Sequence, residues 1–187
     1  MTNDILLHFE QVTHMILDRP YHFSFRLNQL PKFNNDEMDI RKEPPFQDLF
    51  TALDKKEHHC LYWFELPTLA IATQLNTLLD ESRPQLKGKR LVPATNKNTD
   101  SNVLYVGIRR GGKRKYDGLT NISGRIIQHL GYYKKGSTQG LQFVHWAAQQ
   151  KYPITLKVVE FPDLPNKFLN IAEHLIAHKL RPLCGRH

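Results

Sequence analysis

The chain has 187 residues, with 26 Lys+Arg against 18 Asp+Glu for a net charge of +8, and it is 40% hydrophobic and 24% charged. That length supports one well-filled core with a small accessory layer, and no apolar run approaches the ~20 residues of a membrane span. Two cysteines, Cys60 and Cys184, make neither a disulfide framework nor a zinc-finger spacing. The opening Met1-Thr2-Asn3-Asp4 lacks the basic start of a signal peptide, so the expectation is a cytoplasmic protein with free, buried thiols.

The charge is unevenly placed. Residues 1–57 carry 7 basic against 10 acidic side chains, whereas residues 58–187 carry 19 against 8. From Lys87 to Tyr116 there are nine basic residues and one acid, Asp100. A chain charged this way suits a polyanion, most simply nucleic acid, although a solvated basic face has the same composition.

In chain order, residues 3–17 place Ile5, Leu6, Phe9, Val12 and Ile16 at roughly helical spacing, and residues 21–27 alternate as a strand through Tyr21, Phe23, Phe25 and Leu27. Residues 34–45 read as polar loop ending in Pro44-Pro45, and residues 46–56 return to helical spacing. This acidic first third holds no catalytic pattern and is taken as an accessory segment, 1–57. Residues 60–66 form a short aromatic strand, closed by Pro67. Thr68 then caps a helix with Ile71, Leu75, Leu78 and Leu79 on one face. A basic excursion, about 83–101, is expected to be ordered only in part. Residues 103–109 make the next strand, followed by a second basic insertion over about 108–120. A helix runs from Thr120 or Asn121 to Leu130, with Gly131 in the usual C′ place. Residues 141–150 are ambiguous, 154–161 have strand composition, and 166–180 form the last helix, stopped by Pro182. The expected class is α+β: a small three-stranded antiparallel sheet flanked by helices, with an N-terminal accessory segment.

Arg125 and His129 lie four apart on one helix, beside the Ile122/Ile126 stripe, so both project from one side. An arginine there can grip phosphate and a histidine can move or donate a proton, although an exposed polar pair has the same spacing. Glu173 sits at a similar edge of the last helix and could hold one Mg²⁺, a metal that needs only one or two protein carboxylates. His174 and His178 are also four apart, but no third zinc ligand is placed by spacing. Arg109, Arg110, Lys113, Arg114, Lys115, Lys134 and Lys135 are the cations best placed by sequence to contact nucleic acid.

Four short patterns in order, over Cys60 to the C-terminus, resemble the GIY-YIG nuclease superfamily. Cys60-Leu61-Tyr62 stands where its first signature strand falls, with cysteine in place of the usual glycine, and Tyr105-Val106-Gly107 stands for the second. The run Asn121-Ile122-Ser123-Gly124-Arg125-Ile126-Ile127-Gln128-His129-Leu130 is similar to the family's arginine helix. Ile171-Ala172-Glu173-His174-Leu175-Ile176 is similar to its glutamate helix. The resemblance implies a hydrolytic site using Mg²⁺ or Mn²⁺ held by Glu173. It implies Tyr62 as general base or water-orienting phenol and Tyr105 against the phosphate or the attacking water. Arg125 would stabilise transition-state charge, and His129 would hydrogen-bond within the site. Tyr62 and Tyr105 are further apart in sequence than in many members, and Gly185 falls where many have asparagine.

The function expected from the sequence is a metal-dependent DNA endonuclease, restriction-like or serving defence or repair, with RNA left open as a substrate. The alternative is a catalytically inactive nucleic-acid-binding module of the same fold. A membrane partner is not expected, and monomer and homodimer are both left open.

Overall fold

The computed structural model describes residues 2–18, 20–33, 39–133 and 138–185. Its helices are α1 (Thr2–Asp18), α2 (Gln47–Leu53), α3 (Leu69–Leu86), α4 (Asn121–Leu130) and α5 (Asn166–Leu180). Its strands are β1 (Tyr21–Arg26), β2 (His59–Glu65), β3 (Val103–Arg109) and β4 (Pro153–Phe161). The architecture is α+β.

The sheet has four strands in the order β1-β4-β2-β3, and every neighbouring pair is antiparallel. The expected count of three is therefore corrected to four. The alternating Tyr21–Arg26 segment, placed by sequence in an accessory region, pairs along β4 from Tyr21↔Val158 to Arg26↔Pro153. It covers an edge of β4 whose backbone groups would otherwise lack partners. Phe25, Leu27, Phe46, Leu49, Phe50 and Leu53 bury in the same core cluster as Tyr62, Phe64 and Ile126. Phe23 packs partly buried against that cluster, whereas Phe9 of α1 is 42% exposed.

The sheet separates two cores. Central strand β2 is flanked on both sides and reads as an unbroken apolar run, because both of its faces are covered. One face turns Cys60, Tyr62 and Phe64 toward α4 and the large core, and the other turns Leu61 and Trp63 toward Ala172, Ile176 and Ala177 of α5. Helix α4 starts where Thr120 accepts a hydrogen bond from the Ser123 amide and ends where Gly131 takes a left-handed φ of 100°. Both are the ends its sequence specifies.

The stretch from 83 to 101 differs from expectation, since α3 continues through Pro84 to Leu86 and the rest is tied down by hydrogen bonds. Arg83 donates to the Pro93 carbonyl, Arg90 donates to the Tyr133 carbonyl and lies over the Phe33 ring, and Asn96 bonds to the backbone of 182 and 183. Two of the basic residues there thus serve packing. The ambiguous 141–150 segment holds one short 3-10 turn, Phe143–His145. Among the described residues no helix is long and apolar enough to cross a membrane.

Candidate active site

Tyr62 and Gly107 are cross-strand partners on β2 and β3. A β-carbon on Gly107 would come within 2.7 Å of both the Tyr62 hydroxyl and the Tyr105 ring. Glycine is required there because the Tyr62 phenol lies across its α-carbon. Phe64 faces Tyr105 in the next register position, and the two tyrosine rings stack at 6.2 Å between centroids.

Helix α4 supplies the polar partners. Arg125 donates from Nε to the Tyr62 hydroxyl at 2.9 Å and from Nη2 to the Tyr105 hydroxyl at 3.3 Å. Its Nη1 donates to Gln128 Oε1 and to the Gln139 carbonyl. His129, wholly buried, sits one turn further along with Nε2 2.9 Å from the Tyr62 hydroxyl. Its Nδ1 accepts from the Leu141 amide at 3.1 Å. An amide can only donate, so Nδ1 carries no proton and the neutral ring holds its hydrogen on Nε2. His129 therefore donates to Tyr62, and the Tyr62 oxygen receives two donors. The i, i+4 pair converges on one phenol.

The electrostatics follow from burial. Desolvation pushes the Tyr62 pKa well above the ordinary phenol value, with Arg125 opposing it, and Tyr105 is raised for the same reasons. Burial, reinforced by Arg125, holds His129 well below the usual histidine range, so it is neutral at pH 7. For Arg125 burial works against the charge, but the two phenols outweigh it and hold its pKa above the usual arginine value. Two donors aimed at one phenol oxygen favour its anionic form, and desolvation opposes it. A further positive charge brought near would decide the balance.

Glu173 stands on α5, the helix packed against the other face of the sheet. It is half-buried, and its negative charge adds to the raised pKa of both phenols. The sequence-selected five thus divide: Tyr62, Tyr105, Arg125 and His129 are joined by hydrogen bonds, and Glu173 lies within electrostatic reach of the two phenols. Glu173 is a hard oxygen donor of the kind Mg²⁺ or Mn²⁺ takes with waters completing its shell, but its helix packs on the face of the sheet opposite Tyr62 and Tyr105. Among the described residues no group of three or more His, Cys, Asp or Glu side chains could hold a metal, and His174 and His178 are exposed. Cys60, buried under this face, has its thiol pKa pushed up to about 12 by burial and stays protonated.

The cationic loop stands at the end of β3. Arg109, Arg110, Lys113 and Lys115 are exposed and Arg114 is partly covered. Its base is pinned by the Gly111 amide on His59 Nδ1, the Gly112 amide on the Glu57 carbonyl, and Asn121 on the Gly111 carbonyl. Lys113 pairs with Glu57 at 2.6 Å and Arg114 with Asp117 at 3.1 Å. Lys134 and Lys135 lie outside the described residues.

Sequence reasoning missed the segment 138–142. Its backbone fixes the His129 tautomer through the Leu141 amide and holds Arg125 through the Gln139 carbonyl. Gln142 within it takes a left-handed φ of 58° while fully buried. These contacts are main-chain ones, so side-chain patterns carried no signal of them. Compared with known proteins, the chain matches no family model, no curated protein and no solved structure.

Proposed function

We propose that this protein is a metal-dependent endonuclease that hydrolyses phosphodiester bonds in DNA, in the manner of the GIY-YIG nucleases it resembles. The observation that carries the reading is the Tyr62 oxygen, buried and held between Arg125 Nε–H and His129 Nε2–H, with Tyr105 on the same guanidinium. A binding module has no use for two buried donors converging on one phenol.

In hydrolysis a water oxygen attacks phosphorus while the ester P–O bond breaks and the departing oxygen takes a proton from solvent, leaving an alcohol and a phosphomonoester. Tyr62, as phenolate, takes the proton of that water, and its two donors stabilise the negative oxygen until it does. His129 serves as a fixed donor, because Leu141 occupies its other nitrogen. Tyr105 presents its hydroxyl to the phosphate, and Arg125 keeps both phenols in register while offsetting the added charge. Glu173 would hold Mg²⁺ or Mn²⁺, which would supply Lewis-acid polarisation of the phosphate and added positive charge within electrostatic reach of the phenols. Added positive charge there would offset the desolvation that keeps Tyr62 protonated. The exposed cations of loop 109–115 supply affinity for the polyanion.

The test is a substrate panel of plasmid, linear, branched and single-stranded DNA, together with RNA, incubated with Mg²⁺, with Mn²⁺ and with EDTA. Expected is cleavage of at least one DNA form with metal and none with EDTA. Metal-independent binding without cleavage of any member would favour the inactive binding module.

A further inference from the structure

An arginine has five N–H donors, and Arg125 has already placed four of them. Nε–H goes to Tyr62, one Nη2 hydrogen goes to Tyr105, and the two Nη1 hydrogens go to Gln128 and to the Gln139 carbonyl. One N–H is left, and the two-pronged grip by which guanidinium recognises phosphate needs a parallel pair. If Arg125 keeps its hold on the phenols, the fork on the substrate has to come from another residue.

Arg109 is placed for it. Tyr105, Gly107 and Arg109 alternate along β3 and so share one face, the face that Tyr62 occupies beside Gly107. The Arg109 side chain is partly covered yet exposed overall, and it makes no side-chain hydrogen bond or ion pair among the described residues, whereas Lys113 and Arg114 each meet a carboxylate. Partial burial, and then Arg125 and Arg114, hold its pKa below the usual arginine value, with Tyr62 opposing. It lines a cleft of about 280 Å³ with Arg114, Lys115, Asn121, Gln128 and Tyr133. Gln128 is also the residue that accepts from Arg125, so the cleft and the phenol network share a wall.

We propose that Arg109 is the phosphate-gripping arginine of this site, its guanidinium fork holding a backbone phosphate of the substrate strand in the cleft beside Tyr62 and Tyr105. This rests on the nuclease reading above for the identity of the strand. The division of labour is then between two arginines. Arg125 is consumed in holding the phenols, and Arg109 meets the substrate.

The test is metal-free binding of a fluorescent 12-base-pair DNA duplex to the whole protein, with Arg109→Ala, Arg109→Lys and, as a charge-matched control, Lys151→Ala. Arg109→Ala is expected to weaken binding by about tenfold or more, and Arg109→Lys to recover only a small part of that, since lysine keeps the charge and loses the fork. Lys151→Ala should stay within about twofold of wild type. Unchanged thermal melts would show that the variants are folded. Full recovery by Arg109→Lys, or equal losses for Arg109→Ala and Lys151→Ala, would overturn the proposal. So would competition by inorganic phosphate at matched ionic strength that Arg109→Ala abolishes, because the cleft would then serve free phosphate. Cleavage separates the two readings. Arg109-dependent binding without any metal-dependent cleavage sinks the enzyme and keeps the grip, and cleavage that ignores Arg109 does the reverse.

Discussion

Helix α4 and the loop that precedes it carry their charge in opposite ways. On α4 the polar side chains are withdrawn from water, and Arg125 and His129 spend their hydrogen bonds on two phenols, a glutamine and the backbone of 138–142. On loop 109–115 the cations other than Arg114 are exposed, and Lys113 and Arg114 pair with carboxylates. One chain thus holds two kinds of charge, one desolvated and hydrogen-bonded, the other at the surface. A desolvated network is worth more per bond and tolerates no missing partner, whereas exposed cations act additively and are screened by salt. Substitutions in the first region should therefore strike stability and turnover together, and those in the second should leave the fold alone.

The largest effect is expected from Arg125→Ala. It removes the group common to both phenols, and cleavage should fall by about a thousandfold or more in a single-turnover assay. A fall of only a few-fold would mean that the network is structural. Next comes Tyr62→Phe, which deletes one oxygen and leaves two buried donors without their acceptor. It should lower unfolding free energy by about 1–3 kcal/mol in urea titration, as well as abolishing cleavage. Gly107→Ala is expected to cost a similar about 1–3 kcal/mol by forcing a β-carbon against both tyrosine rings, and a neutral result would contradict the close packing of Tyr62 on β3.

On the loop, the double variant Arg110→Ala/Lys115→Ala should melt within about 0.5 kcal/mol of wild type. It should bind DNA more weakly, with the slope of log K against log salt reduced by about 2. A further effect is one of pH. His129 is held neutral by burial and by Arg125, whereas in the unfolded chain it takes up a proton near its usual value of about 6.5. Stability is therefore full above that pH and falls as pH drops below it, by at most about 1.4 kcal/mol per unit for this one group. His145, also lowered by burial, acts in the same direction. Melting curves from pH 7.5 to 5.5 should show a shallower decline in His129→Gln than in wild type.

Much of the site was legible because it rests on local periodicities. The four-residue spacing of Arg125 and His129 and the cap signals Thr120 and Gly131 specified helix α4 nearly to the residue, and the strand 103–109 was bounded as it stands. What sequence could not supply was pairing at a distance. Tyr21–Arg26 was readable as a strand, yet nothing local says that it lies beside β4, 127 or more residues away, and the sheet was undercounted for that reason. The 138–142 segment escaped because it acts through carbonyl and amide groups that every residue type possesses. Nor did the charge pattern show that Arg83 and Arg90 turn inward to backbone carbonyls and, for Arg90, an aromatic ring. Residue types give the inventory of charge, and only the fold says which charges are already spoken for.

The most direct measurement is the conversion of supercoiled plasmid by wild type and by Glu173→Ala, each with Mg²⁺ and with EDTA, followed over the same time course. Expected is nicked or linear product from wild type with Mg²⁺ alone and none from Glu173→Ala. Product formed equally by Glu173→Ala, or by wild type in EDTA, would contradict the assignment of a metal to Glu173 and with it the proposed hydrolysis.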